Sequence, residues 1–386
     1  MNTIINAKIL ILVFLCCCSV LNSFIVNNGK ISILRNSPPL YKYHKQIIPL
    51  NTAQVSLSNT DSIIRQPLRS LKNFFKYFAS FIVLFKKLLF SNESKRSDNE
   101  LKSGIANFYD ESSAIWLDVW GEHMHHGYYP TLSYKNHQAA QIDMIDRSIN
   151  WAYGDDLKNS ECIPKNMIDV GCGVGGSSRH IARKFGCKGV GISLSPYQIS
   201  RAKNFTVEQN LDHLLEYEVS DAMNMLYPAK TFDLTWSMES GEHMPNKQQF
   251  MNELYRVTTP GGRIIVVTWC HRELKDNEKS LKKSELRLLD KINDAYYLPD
   301  WCAASTYVNI ANKLGLEDVR QDDWSEYIRP FWSAVFISAL KPNNFKRLLR
   351  SGVTTIKGAI ATLWMLRGFQ KGTLKFVLIT GRKKKY

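Results

Sequence analysis

The chain has 386 residues, with 44% apolar and 22% charged side chains, an ordinary globular balance and enough length for one large domain or two smaller ones. The net charge of +15 sits at the ends: residues 1–95 set twelve Lys and Arg against Asp61 and Glu93, and Arg382-Lys-Lys-Lys385 adds four more cations. The stretch between is close to neutral, which excludes a phosphate-tracking groove and a nucleic-acid partner. Of the eight cysteines, Cys16 to Cys18 fall in an apolar run and the other five are scattered without a CxxC pair or zinc spacing, so free thiols in a reducing compartment are expected.

Residues 9–21 are apolar throughout and follow Lys8. A bilayer span needs about 20 such residues, so the run is short for one and fits the core of a signal peptide ending near Asn22-Ser23, with a single membrane anchor as the other reading. From Phe24 to about Thr60 the chain is poor in acids and rich in Lys, Ser and Asn, which is transit-peptide composition. At about 100° per residue, Arg69, Lys72, Lys76, Lys86 and Lys87 share one side of a helix over 68–90, and Leu71, Phe74, Phe78, Phe81, Phe85 and Leu89 take the other. Such a basic amphipathic helix suits a membrane surface, unless it is lost with the presequence. The expected organisation is a signal peptide at 1–23, a plastid transit peptide and linker at 24–95, and a folded domain at 101–386. The signal-plus-transit order resembles the bipartite presequence of algae whose plastids lie inside extra membranes.

The folded core opens on an aromatic and histidine-rich segment, Phe108 to Tyr129. His123, His125 and His126 lack partners in a ligand pattern, so no metal is expected. The segment reads as a lid whose aromatic faces could meet a cation, with core packing as the other reading for Trp116 and Tyr129.

Met167-Ile-Asp-Val-Gly-Cys-Gly-Val-Gly-Gly176 then carries an apolar run into glycines and out into a helical pattern. That is how a buried parallel strand passes under a nucleotide-like ligand into a helix N-terminus. Gly171-x-Gly173-x-x-Gly176 satisfies the dinucleotide fingerprint as a bare pattern. The second strand, Gly189 to Ser195, ends without the acid that a dinucleotide ribose needs. Asp169 stands two residues before the first glycine, where a carboxylate can organise the loop and face a cationic amino-acid moiety. Ser220-Asp221-Ala222 ends a third strand, where a carboxylate can accept from an adenine amino group. Thr231–Ser237 gives a fourth strand, and Thr259-Pro-Gly-Gly turns into a fifth. Trp324, Tyr327, Phe331, Trp332, Phe336 and the apolar run Ala359–Leu366 are read as an apolar groove or as cap helices. Leu374–Gly381 reads as the last strand, at an antiparallel edge.

This order resembles the S-adenosylmethionine-dependent methyltransferases, which implies a class I, Rossmann-like α/β fold: a doubly wound, mostly parallel seven-stranded sheet with a helical substrate cap. Gly191-Ile-Ser-Leu-Ser-Pro196 is similar to a stretch of sterol methyltransferases and cyclopropane-lipid synthases in which a hydroxyl, a backbone amide and a downstream Gln serve the ribose. Ser193, Leu194 and Gln198 match it. Ile105–Ser113, Trp120–Gly127, Trp236–Pro245, Val267–Arg272 and Asp323–Tyr327 resemble plastid gamma-tocopherol methyltransferases, over about Leu101 to Arg382.

The resemblance implies a cofactor, S-adenosyl-L-methionine, held by Tyr109, Asp169, Gly171, Cys172, Gly173, Gly175, Gly176, Ser193, Leu194, Gln198, Asp221, Ala222, Ser237 and Met238. It implies C-methylation of a lipophilic prenylated phenol, with peripheral contact to a plastid membrane. Methyl transfer from a sulfonium is an in-line displacement, and a phenol-activated ring carbon needs a base. Glu239, Glu242, His243 and His271 stand where the fourth and fifth strands end, at the ligand-facing edge of such a sheet. Glu239 or Glu242 beside the phenol, oriented by His243, is the expected arrangement. A sterol, a prenyl benzoquinol or an amine are the other acceptors, and a non-catalytic cofactor- or lipid-binding protein is the reading from a different class.

Overall fold

The computed structural model describes residues 96–131, 136–331 and 353–385. The presequence segments and the 68–90 helix expected from sequence lie outside them, as do Trp332 and Phe336. Residues from Asn92 onward form one compact unit.

Two helices precede the sheet: α1 (Asp98–Trp120) and α2 (His137–Tyr153). Ser97 starts α1 with a capping box, its side chain and that of Glu100 each accepting from the other's backbone amide. Strands and helices then alternate: β1 (Asn166–Val170), α3 (Gly176–Phe185), β2 (Lys188–Ser193), α4 (Pro196–Glu208), β3 (Leu215–Val219), β4 (Phe232–Met238), α5 (Lys247–Val257), β5 (Thr258–His271), α6 (Lys283–Tyr296), α7 (Ala304–Lys313), β6 (Glu317–Asp323), α8 (Val353–Gln370) and β7 (Leu374–Arg382). The sheet has seven strands in the order β3-β2-β1-β4-β5-β7-β6. The strands from β3 through β5 pair in parallel, and β7 pairs antiparallel with both β5 and β6.

The expected class I doubly wound fold is therefore present, with one correction. β7 is an interior strand, and the edge belongs to β6. That strand, Glu-Asp-Val-Arg-Gln-Asp-Asp, is largely exposed, so no buried apolar alternation announces it.

The central strands carry the core, as expected where helices cover both faces of a parallel sheet. Ile168, Val170, Phe250, Leu254, Ile264 and Val266 form part of one buried cluster. The chain winds outward from β1 through β2 to β3, then returns to place β4 on the other side of β1. That reversal opens a crevice at the carboxyl ends of β1 and β4, where open α/β sheets bind ligands. Trp324 and Phe331 are buried, and Tyr327, 39% exposed, stacks on Tyr128 at 4.4 Å. Among the described residues, no helix is long and apolar enough to cross a membrane.

Candidate active site

An open cleft occupies the crevice. The glycine loop forms one wall. Gly171, Gly173 and Gly175 all have positive φ (85°, 54° and 79°), which lets the chain turn sharply from β1 into α3. Gly171, Cys172, Gly173, Gly176 and Ser177 line the cleft, so the N-terminus of α3 opens on it. A Cβ on Gly171 would lie 2.3 Å from that of Ser240. Gly175 does not line the cleft; a Cβ there would meet the Tyr217 hydroxyl at 2.6 Å. Asp169 is buried on the same wall and accepts from the Ser178 hydroxyl at 2.5 Å. Burial raises its carboxyl to about pH 7 despite that hydrogen bond.

The end of β2 supplies Ser193 and Leu194, and the first turn of α4 supplies Gln198. The Ser193 hydroxyl donates to Gln198 Oε1 at 2.8 Å, and Ser195 caps α4 by accepting from the Gln198 amide. Asp221 and Ala222 line the cleft just past β3. Asp221 accepts from the Met223 amide at 2.9 Å and pairs with Lys102 of α1 at 2.6 Å.

Helix α1 closes the cleft, lining it with Leu101, Ile105, Ala106 and Tyr109. It is tied to each loop beneath. Lys102 holds Asp221, Asp110 accepts from Ser195, Ser113 meets Gln198, and the Tyr109 hydroxyl lies 3.0 Å from His243 Nε2. Lys102, Asp110 and Ser113 were not singled out by sequence; a helix's polar face carries no mark of what it closes on.

The end of β4 holds the remaining groups. Met238, Glu239, Ser240 and His243 line the cleft, whereas Ser237 and Glu242 do not. Ser237 bonds Ser240 at 2.7 Å behind the wall. Glu239 has φ of 52°, a left-handed conformation uncommon for a side chain of its size. It accepts from the His126 amide at 2.5 Å, from His126 Nδ1 at 2.7 Å and from Trp269 Nε1 at 3.2 Å. Burial raises its carboxyl, but the His126 contacts outweigh this and hold it below the ordinary range. Glu242 accepts from the Thr268 hydroxyl at 2.7 Å, and burial with the nearby Glu239 charge raises its carboxyl to about 7.

His243 rides on a 3-10 turn, Gly241–His243. Burial, then the charge of Lys247, pushes its imidazole down to about 4, so the ring is neutral at physiological pH. Burial raises the Tyr109 hydroxyl far above its ordinary range. His125 also lines the cleft: its Nδ1 faces the His126 carbonyl at 2.9 Å, and its buried Nε2 has no hydrogen-bond partner among the described residues. Because a carbonyl only accepts, Nδ1 carries the proton and Nε2 is an acceptor.

His271 is elsewhere. It ends β5, bridges to Ala303 and turns Nδ1 to the Arg272 carbonyl at 2.7 Å, outside the cleft lining. Trp116 and Tyr129 serve the frame: Trp116 Nε1 donates to the His123 carbonyl at 3.0 Å, and Tyr129 is buried with its hydroxyl 2.8 Å from His137.

A glycine loop at the switch point, an acid near the end of β1 and another past β3, and a helical lid define the class: a Rossmann-like methyltransferase that uses S-adenosylmethionine. Residues 168–266 match the methyltransferase domain family. The chain is 53% identical over 286 residues to "Probable tocopherol O-methyltransferase, chloroplastic" of Oryza sativa subsp. japonica, covering 73% of this chain and 78% of that one. It is 47% identical over 292 residues to the chloroplastic tocopherol O-methyltransferase of Arabidopsis thaliana, covering 74% and 84%. The solved structure of the (4+2)-cyclase SpnF shares the fold, with a TM-score of 0.60 at 22% identity over 72% of this chain and 95% of that one. The chain belongs to the tocopherol O-methyltransferase family.

The residues present fit the cofactor of that class. Ionised Asp169 suits a cationic amino-acid moiety, Asp221 an adenine amino group, and Ile192, Ala222 and Met223 offer an apolar slot for a base. When bound, S-adenosylmethionine supplies an electrophilic methyl group.

Proposed function

We propose that this chain methylates a ring carbon of a prenylated phenol of the gamma-tocopherol type, using S-adenosylmethionine, in a plastid. The observation that carries this reading is the Tyr109–His243 pair, 3.0 Å apart on the wall of the cofactor cleft. A free phenol titrates near about 10 and its ring carbons are weak nucleophiles until the proton is withdrawn. His243, kept neutral, takes up or passes on that proton, with Tyr109 as its hydrogen-bonded neighbour; a positioned base contributes on the order of 10²–10⁴ in rate.

Glu239 and Glu242 take other roles in this reading. Both Glu239 oxygens are engaged by His126 and Trp269, so its charge stabilises the loop and offsets a cation in the cleft. Glu242 bonds Thr268 behind the wall. Leu101, Ile105 and Ala106 of α1 offer the acceptor an apolar flank. A prenyl tail keeps the acceptor in lipid, so the enzyme meets it at a plastid membrane, and residues 1–95 act as the plastid address. The chloroplastic relatives support that location.

The test is to incubate the full chain with methyl-labelled S-adenosylmethionine and gamma-tocopherol, delta-tocopherol, a prenyl benzoquinol, a sterol or an indole amine. Product NMR then locates the label. A new ring methyl on the tocopherols is expected. A methyl ether would move the transfer to oxygen, as the relatives' names have it, and turnover of the sterol or the amine alone would overturn the reading.

A further inference from the structure

Lys247 is the first residue of α5, a position where a cation is disfavoured because the helix N-terminus is itself positive. Its ammonium turns back under the preceding loop. It donates to the carbonyls of Gly241 at 2.9 Å, Glu242 at 3.1 Å and Met244 at 2.6 Å. Those three oxygens bracket His243 in sequence, and the Gly241 carbonyl also accepts from the buried Tyr307 hydroxyl at 3.0 Å. The turn therefore has its carbonyls fastened on one side while His243 reaches the cleft and Tyr109. The chain enters the turn through Glu239 at φ 52°, a conformation that must be held in place by its surroundings. Lys247 is absent from the cleft lining, so it acts through the turn.

We propose that Lys247 is a positioning residue for methyl transfer, clamping the Gly241–His243 turn so that His243 meets Tyr109 across the cleft. The inference rests on the reading above, that His243 handles the acceptor's proton. The clamp has an electrostatic consequence. The groups that face His243 are Tyr109 from α1, Glu239 from the end of β4 and Lys247 from α5. Burial lowers the imidazole most, the Lys247 charge lowers it further, and Glu239 opposes both. Removing the ammonium therefore moves the His243 titration upward, toward the ordinary imidazole range, and leaves less neutral base at slightly acidic pH.

The experiment uses the full chain carrying Lys247→Met or Lys247→Gln. His243 is followed by NMR of isotope-labelled histidine without acceptor, its signal assigned by its absence from His243→Gln. Turnover is followed with S-adenosylmethionine and gamma-tocopherol. For Lys247→Met, kcat falls about 10- to 100-fold, an effect the size expected for a misplaced base. The KM for S-adenosylmethionine stays within about twofold, since the glycine loop, Ser193 and Asp221 take no hydrogen bond from Lys247, and the His243 midpoint rises. A kcat within about twofold of the parent, or an unmoved midpoint, overturns the proposal. Lys247→Gln keeps a donor but not the charge and decides the matter if the Met variant does not fold: a raised midpoint is expected and an unmoved one is fatal. Full turnover by His243→Gln would instead sink the proton-handling reading, and a raised midpoint would still establish the clamp.

Discussion

The Tyr109 hydroxyl lies 3.0 Å from His243 Nε2, joining the lid helix to the loop after β4 across the cofactor cleft. One contact thus couples closure of the lid to placement of the candidate base. Tyr109→Phe removes the hydroxyl and keeps the ring that packs edge-on against Phe108 at 5.4 Å. The expected result is a loss of about 10-fold or more in kcat with little change in folding, and His243→Gln should lose about 10²–10³. Steady-state turnover beside thermal unfolding checks both. Equal activity of either variant with the parent would remove the pair from the chemistry.

Asp169 and the cofactor should be linked through pH. Its carboxyl is raised to about 7, so it is mostly protonated below that value before a cation binds beside it. A cationic amino group favours the ionised form. S-adenosylhomocysteine affinity, measured by calorimetry, is therefore expected to strengthen between about pH 6 and pH 8, and Asp169→Asn to bind weakly with the slope removed.

The sign is opposite for stability. Glu242, like Asp169, has a folded-state value raised to about 7, above the ordinary carboxyl range. A raised carboxyl stabilises the fold most at low pH, and that contribution is lost as pH rises through the folded value. The cofactor-free protein should melt lower at pH 8 than at pH 6, and Glu242→Gln should shrink that difference. Scanning calorimetry at the two pH values would show it, and an unchanged difference would contradict the assignment.

Glu239 carries three donors on a strained backbone. Glu239→Gln puts an amide N–H against at least one N–H donor, leaving a buried group unpaired at a cost of about 1–3 kcal/mol. For a domain of this size that corresponds to a fall of roughly 2–4 °C in Tm per kcal/mol. Glu239→Asp should do no better, because the shorter side chain cannot span from the turn to both His126 and Trp269.

At Gly171 a methyl group meets Ser240, and φ of 85° disfavours any side chain. Gly171→Ala is expected to weaken cofactor binding about tenfold or more, the equivalent of about 1.4 kcal/mol. Ser240→Gly in the same chain should restore only part of it, since the backbone term of about 1–2 kcal/mol remains.

The sequence by itself determined where β1 to β5 fall, because the glycine, Pro-Gly-Gly and helix-start signals between them are local and β1, β4 and β5 are largely apolar, although β3 alternates as Leu-Glu-Tyr-Glu-Val. The doubly wound order came with the family resemblance. The sequence also placed Asp169, Gly171, Gly173, Asp221 and Ala222 at strand ends that local pattern identifies, while Ser193, Leu194 and Gln198 came with the family resemblance; all of them line the cleft. Only the tertiary structure decided which groups meet. Strand β6 is polar and exposed and pairs through its backbone, so no periodicity revealed that it displaces β7 from the edge. In sequence, Glu239 or Glu242 reads as the group beside the phenol, with His243 orienting it and His271 as a further candidate. Packing separates them: His243 and Glu239 reach the cleft, Glu242 turns to Thr268, and His271 turns to its own neighbour's carbonyl. Lys102 and Lys247 are ordinary lysines in the chain, and their partners lie on segments that only folding brings near. Hydrogen bonds and charge shifts depend on distance and burial, which the order of residues does not contain.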